Sequence, residues 1–78
     1  MNGREIIKAI MEQRDISNIE YAKELGITRA AIWDRLDTKK SRKDIPVSML
    51  STMAKVLGYK VVVVPTDFEV KCGYLVDN

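Results

Sequence analysis

Histidine is absent from the 78 residues, and cysteine occurs once, at Cys72. A single cysteine rules out a disulfide within the chain. One thiol and no imidazole leave no ligand set for zinc, so no metal is expected. The commonest general base is missing as well, and no histidine stands ready to activate Cys72. Neither an enzyme nor a bound cofactor is expected. Long apolar runs are also lacking. None approaches the length that spans a bilayer, and the first turns mix charged and apolar residues, unlike a secretory leader. The expectation is a cytoplasmic protein with no membrane partner. Tryptophan and phenylalanine occur once each, and proline only twice. A chain of this length makes one domain with a modest core, often helped by a partner subunit.

The net charge is only +2, but it is unevenly placed. Residues 1–25 sum to −1, residues 26–43 to +4 and residues 44–78 to −1. The surplus positive charge therefore lies in the middle of the chain, the electrostatic footprint expected of a nucleic-acid partner. A charged loop standing alone would be an ordinary solvated surface, so the surrounding pattern has to decide.

Asn2 with Glu5 three residues later opens a first helix. Ile6, Ile7, Ile10 and Met11 form its apolar stripe, with Arg4, Lys8 and Glu12 off it. The helix should end near Arg14 or Asp15. Ser17 and Glu20 make a capping box, and Ile16 and Tyr21 stand at the spacing of a hydrophobic staple. A second helix therefore starts at Asn18, with Ala22 and Leu25 inward. Gly26 stops it in a left-handed conformation that glycine adopts cheaply. Ile27 plugs the turn and Thr28 caps a third helix. Ile32 and Leu36, four apart, face inward, with Ala31 beside them.

That spacing turns Arg29, Ala30, Trp33, Asp34 and Asp37 outward. Two helices about one glycine, the second with a polar outer face, have the layout of a helix-turn-helix, whose second helix enters a DNA major groove. Arg29, Ala30, Trp33 and Asp34 are the candidate base readers. Arginine suits guanine, alanine and indole suit thymine methyls, and Asp34 can accept from cytosine or orient Arg29. Trp33 has an alternative, packing into the core against the following loop or helix. Lys39, Lys40, Arg42 and Lys43 follow within a polar loop, placed to neutralise phosphates, with Thr38 and Ser41 as neutral contacts.

Pro46 suits the first turn of a fourth helix. Leu50, Met53, Ala54 and Leu57 then repeat at i, i+3, i+4 and i+7, and Gly58 ends it. Beyond Gly58 the composition changes. Tyr59-Lys60-Val61-Val62-Val63-Val64 is β-branched up to Pro65 and predicts a strand. Phe68 to Cys72 alternates as a half-buried strand would. A lone strand is not viable in water. Val61, Val62, Val63 and Val64 must therefore pair with the tail in a hairpin or with a second copy, as a dimerisation element. Residues 1–58 form the helix-turn-helix domain and residues 59–78 its β extension, within one mainly α domain.

With Ser17, Tyr21-Ala22, Leu25-Gly26-Ile27-Thr28, Ile32, Leu50, Met53-Ala54 and Leu57-Gly58 in place, the chain resembles the lambda-repressor-like helix-turn-helix family. This is the Cro/repressor and xenobiotic-response-element type, which includes some antitoxins. The resemblance covers roughly residues 6–65. It implies a four-helix DNA-binding domain, a C-terminal strand that pairs across a homodimer, and repression through a palindromic operator in double-stranded DNA. It places Asn18 at a phosphate, with Ser17, and puts Thr28, Arg29, Ala30 and Asp34 where the family contacts phosphate and bases. Tyr21 stands where the family has leucine, and Ile19 where it is polar. Thr28-Arg29-Ala30-Ala31-Ile32-Trp33 with a late inward Leu36 also resembles the winged-helix domain of biotin-operon repressors. That fold needs a β-hairpin straight after the third helix, where a basic loop and a helical stripe stand instead. Two alternatives remain. One is an antitoxin that binds a toxin protein as well as DNA. The other is an interaction domain that has lost DNA binding, kept open by Asp34 and Asp37 on the groove-facing side.

Overall fold

A computed structural model describes residues 1–37 and 43–76. Thr38, Lys39, Lys40, Ser41, Arg42, Asp77 and Asn78 lie outside the described residues. Four helices follow in chain order: α1 (Gly3–Arg14), α2 (Asn18–Leu25), α3 (Arg29–Leu36) and α4 (Val47–Val56). The first three start on the side chains that mark them in the sequence. Asn2 and Glu5 close one capping box, and Ser17 and Glu20 another. The Thr28 hydroxyl accepts from the Ala31 amide at 3.1 Å. Each such cap contributes about 1 kcal/mol. Gly26 ends α2 at φ +69°, the left-handed region expected there. Asp15 ends α1 in the same region at φ +55°, a cost that aspartate tolerates better than most residues. Pro46 stands before α4 without a side-chain cap.

Helix α1 packs on α3 and α4, and α2 packs on the same two. The core between them includes Ile7, Ile10, Ile32, Met53 and Leu57, each with essentially no exposed surface. These are inward residues of the first, third and fourth sequence stripes. Leu25 is half-buried at the edge of that core.

Tyr21, in the first turn of α2, also lies at the centre of that core. It is fully buried, and its hydroxyl donates to the Met53 carbonyl oxygen at 2.6 Å. Burial pushes the hydroxyl well above the ordinary tyrosine range, and the nearby Arg35 charge works against that shift. The phenol thus stays protonated and ties α2 to α4. Its place in the family pattern belongs to a leucine, which could fill the space but not make the bond.

The expected C-terminal strand is not present: no strand occurs among the described residues. Residues 59–76 instead fold back as irregular chain. The Phe68 amide donates to the Pro65 carbonyl at 3.0 Å, closing a turn. The return limb brings Tyr74 beside Tyr59, with ring centroids 6.1 Å apart. The Tyr74 hydroxyl donates to the Gln13 side-chain oxygen at 2.8 Å. The hairpin course therefore exists without its ladder. Valine favours a pleated, half-buried surface, and the run lacks one. Val61 packs on the core, but Val62, Val63 and Val64 are exposed, Val63 at 99%.

Tyr21→Phe removes the hydroxyl and leaves the Met53 carbonyl with one fewer partner. The expected loss is about 1 kcal/mol, read as a lower urea midpoint with an unchanged denaturant slope. An unchanged midpoint would show that the bond contributes nothing.

Candidate nucleic-acid interface

Helix α3 holds the outer face, so what fixes α3 fixes the site. Its underside is anchored by buried Ile32 and Leu36. Its C-terminal end is held from α1. Arg4, only 7% exposed, donates from Nε to the Arg35 carbonyl oxygen at 2.9 Å. That carbonyl belongs to the last turn of α3, where helix carbonyls lack partners of their own. The sequence pattern places Arg4 off the apolar stripe; the structure buries it as a clamp.

The chain is caught again as it approaches α4. Asp44 accepts from the Gly3 amide at 2.7 Å, the Ile45 amide at 2.8 Å and the Arg4 amide at 3.3 Å. With Asn2 taking the Glu5 amide at 2.9 Å, the free amides of the first turn of α1 are satisfied. Burial raises the Asp44 carboxyl's pKa. The three amides and the Arg4 charge outweigh that and hold it below the ordinary aspartate value.

Of the five residues expected to face outward, four lie together on α3, whereas Asp37 is half-buried just past its end. Arg29, Ala30, Trp33 and Asp34 are all exposed on α3. Trp33 is 60% exposed, so it does not fill the core. Eight residues at about 1.5 Å each give a helix about 12 Å long, close to the width of a major groove. Thr28 is exposed at its start, and a capping hydroxyl that accepts from Ala31 can still donate to a phosphate. Ser17 is differently committed: its hydroxyl donates to the Glu20 carboxylate at 3.0 Å and accepts from the Glu20 amide at 3.1 Å. A phosphate contact there would have to displace the glutamate. Asn18 is half-buried and lines a cleft with Trp33. Lys43 is exposed beyond α3, while Lys39, Lys40 and Arg42 lie outside the described residues.

Lys8 lines that cleft too, bringing α1 into the site. The helical pattern puts Lys8 off the apolar stripe but cannot tell which neighbour it faces. That depends on how α1 crosses α3.

Comparison with known proteins gives one finding. Residues 2–38 match the model of a family described as winged helix-turn-helix DNA-binding. The match spans α1, α2 and α3 and supports a helix-turn-helix DNA-binding domain, with double-stranded DNA as its partner. Downstream of it, α4 follows, and no strand of a wing occurs among the described residues. No curated protein and no solved structure matches the chain.

The Asp44 carboxylate gives this clamp a pH dependence. A depressed native pKa stabilises the fold fully above the unfolded aspartate value of about 4 and is lost as pH falls through the lower native value. Asp44→Ala should cost about 1 kcal/mol at neutral pH in chemical denaturation, by analogy with a lost helix cap. The gap from the parent protein should close in acid below about pH 4. A gap of equal size at both pH values would contradict an ionised clamp.

Proposed function

We propose that the chain is a transcriptional repressor of the lambda-repressor-like kind that binds a palindromic operator as a homodimer. The observation that carries this is the outer face of α3. Arg29, Ala30, Trp33 and Asp34 stand exposed together on a helix whose other side is fixed in the core. Two such helices, with centres about 34 Å apart, would enter successive major grooves. The α4 stripe following the helix-turn-helix, with no wing strand among the described residues, favours this family over a winged helix.

Arg29 supplies base readout, whereas Lys39, Lys40, Arg42 and Lys43 supply phosphate contacts. Selection of bound DNA from a random pool should return a two-fold symmetric sequence. Arg29→Ala should cost about 1–3 kcal/mol on that sequence and relax its preference. Removing one loop lysine should weaken all sequences alike and flatten the salt dependence by about one unit. Equal loss of sequence preference from both variants would sink this division of roles.

We infer that the dimer contact involves Val61–Val64. Of the exposed large apolar side chains, seven lie in the tail: Val62, Val63, Val64, Phe68, Val70, Leu75 and Val76. An apolar surface concentrated in this way marks a protein contact. The same observation supports a second reading, an antitoxin whose tail binds a toxin protein. Val63→Asp should turn a dimer into a monomer by analytical ultracentrifugation and weaken operator binding. A parent chain that is already monomeric would favour the toxin-binding reading.

A further inference from the structure

Lys8 is an exposed residue of α1 whose charge the fold does not use. It lines a cleft beside α3 together with Met11, Ile16, Asn18 and Trp33. Trp33 is 60% exposed on the outer face of α3, so the cleft opens on the side that this face presents. An α-helix with its side chains is about 10–12 Å across. A major groove is about 12 Å wide. A helix seated in the groove therefore fills it, and whatever flanks the helix meets a phosphate strand. On the cleft side of α3 that flank includes α1, through Lys8.

The ammonium is available for such a contact. Among the described residues it makes no hydrogen bond or ion pair. Two carboxylates stand within one turn of it on α1. Glu5 accepts from the Asn2 amide at 3.2 Å and is committed to the capping box. Glu12 follows Lys8 at i+4, the order in which a helical ion pair is weaker. Asp37 also lines the cleft, and its own interaction does not involve Lys8. A lysine stem can follow the apolar wall while its head stays in water. We propose that Lys8 is a phosphate contact, by which α1 takes part in DNA binding beside α3. The inference rests on α3 being the DNA-reading helix. A phosphate contact fixes position and carries no sequence information. Neutralising one phosphate releases its counterion, so Lys8 accounts for about one unit of the salt dependence.

Binding is measured on the selected DNA and on a scrambled duplex, at about 50 mM and about 200 mM salt. In Lys8→Met the loss of affinity over that range should be smaller than the parent's by about threefold, the share of one contact. It should shrink alike on both duplexes, leaving the preference between them unchanged. Lys8→Arg should restore the parent's salt dependence. Lys55→Met makes the same charge change on an exposed residue of α4 outside the cleft and should leave the salt dependence unaltered. An unchanged salt dependence in Lys8→Met would overturn the contact. So would equal flattening in Lys55→Met, which would reduce the effect to net charge. Phosphates of the selected DNA are then neutralised one at a time as methylphosphonates. A position that weakens the parent should cease to weaken Lys8→Met, and the absence of any such position would also overturn the contact. A parent chain that binds no DNA would count against the repressor reading and the Lys8 contact together. DNA bound by the parent, with Lys8→Met indistinguishable from it, would remove the Lys8 contact alone.

Discussion

The structure depends on how the start of α1 holds the chain on both sides of the basic segment 38–43. Before the loop, Arg4 caps the last turn of α3 through the Arg35 carbonyl. After it, Asp44 takes the amides of Gly3 and Arg4. Gly3 makes the second contact available. A Cβ there would stand 3.2 Å from both Asp44 carboxylate oxygens and 3.4 Å from the nearest Leu50 carbon. The first turn of a helix offers unpaired amides and a partial positive charge, so a carboxylate is its natural partner. The Arg4 guanidinium adds charge complementarity beside it. Arg35 and Asp44 are thereby pinned to one turn of one helix, which fixes where α3 stops and where the chain re-enters the core.

Tyr21 does for α2 what Arg4 does for α3. The helix-turn-helix pair is short, two helices of eight residues each. Helices of that length are marginal alone and take most of their stability from packing. Ile32 and Leu36 give α3 that packing, and Ala22 and Tyr21 give it to α2. The phenol adds direction, since its bond to Met53 is made only when α2 and α4 lie in one register. The outer face of α3 is free to carry Arg29, Trp33 and Asp34 because none of these residues is needed beneath.

What the sequence discloses here is local, and what it hides is distant. Capping boxes are relations over three residues, and apolar stripes over three or four. Helix starts at Gly3, Asn18 and Arg29 and the inward set from Ile7 to Leu57 were therefore legible. So was the exposure of Arg29, Ala30 and Asp34, which follows from Ile32 and Leu36 facing in. The Tyr21 bond closes over 32 residues, the Arg4 bond over 31 and the Asp44–Gly3 bond over 41. No spacing rule reaches that far, and a polar residue at a helix start ordinarily reads as surface. Lys8 joins the site for the same kind of reason, through the crossing of α1 and α3. The valine run misled in another way. β-propensity expresses packing on a sheet, so four valines without a ladder partner need not form a strand.

Helix α1 also touches the tail, and magnitudes limit what that link can do. Near its N-terminus it holds α3 through Arg4, and near its C-terminus Gln13 accepts from Tyr74. Helix α1 therefore contacts both the tail and the helix that carries the outer face. The Tyr74–Gln13 bond is exposed, and a hydrogen bond of this sort contributes about 1 kcal/mol at most. A tenfold change in affinity needs about 1.4 kcal/mol. Strain passed through α1 alone can bias DNA affinity by only a few-fold. Joining two half-sites through a dimer acts on a larger scale, because the second contact becomes intramolecular and effective concentrations reach the millimolar range. On the proposed reading as a dimer, the exposed apolar side chains between Val62 and Val76 are the surface at which a second chain would join.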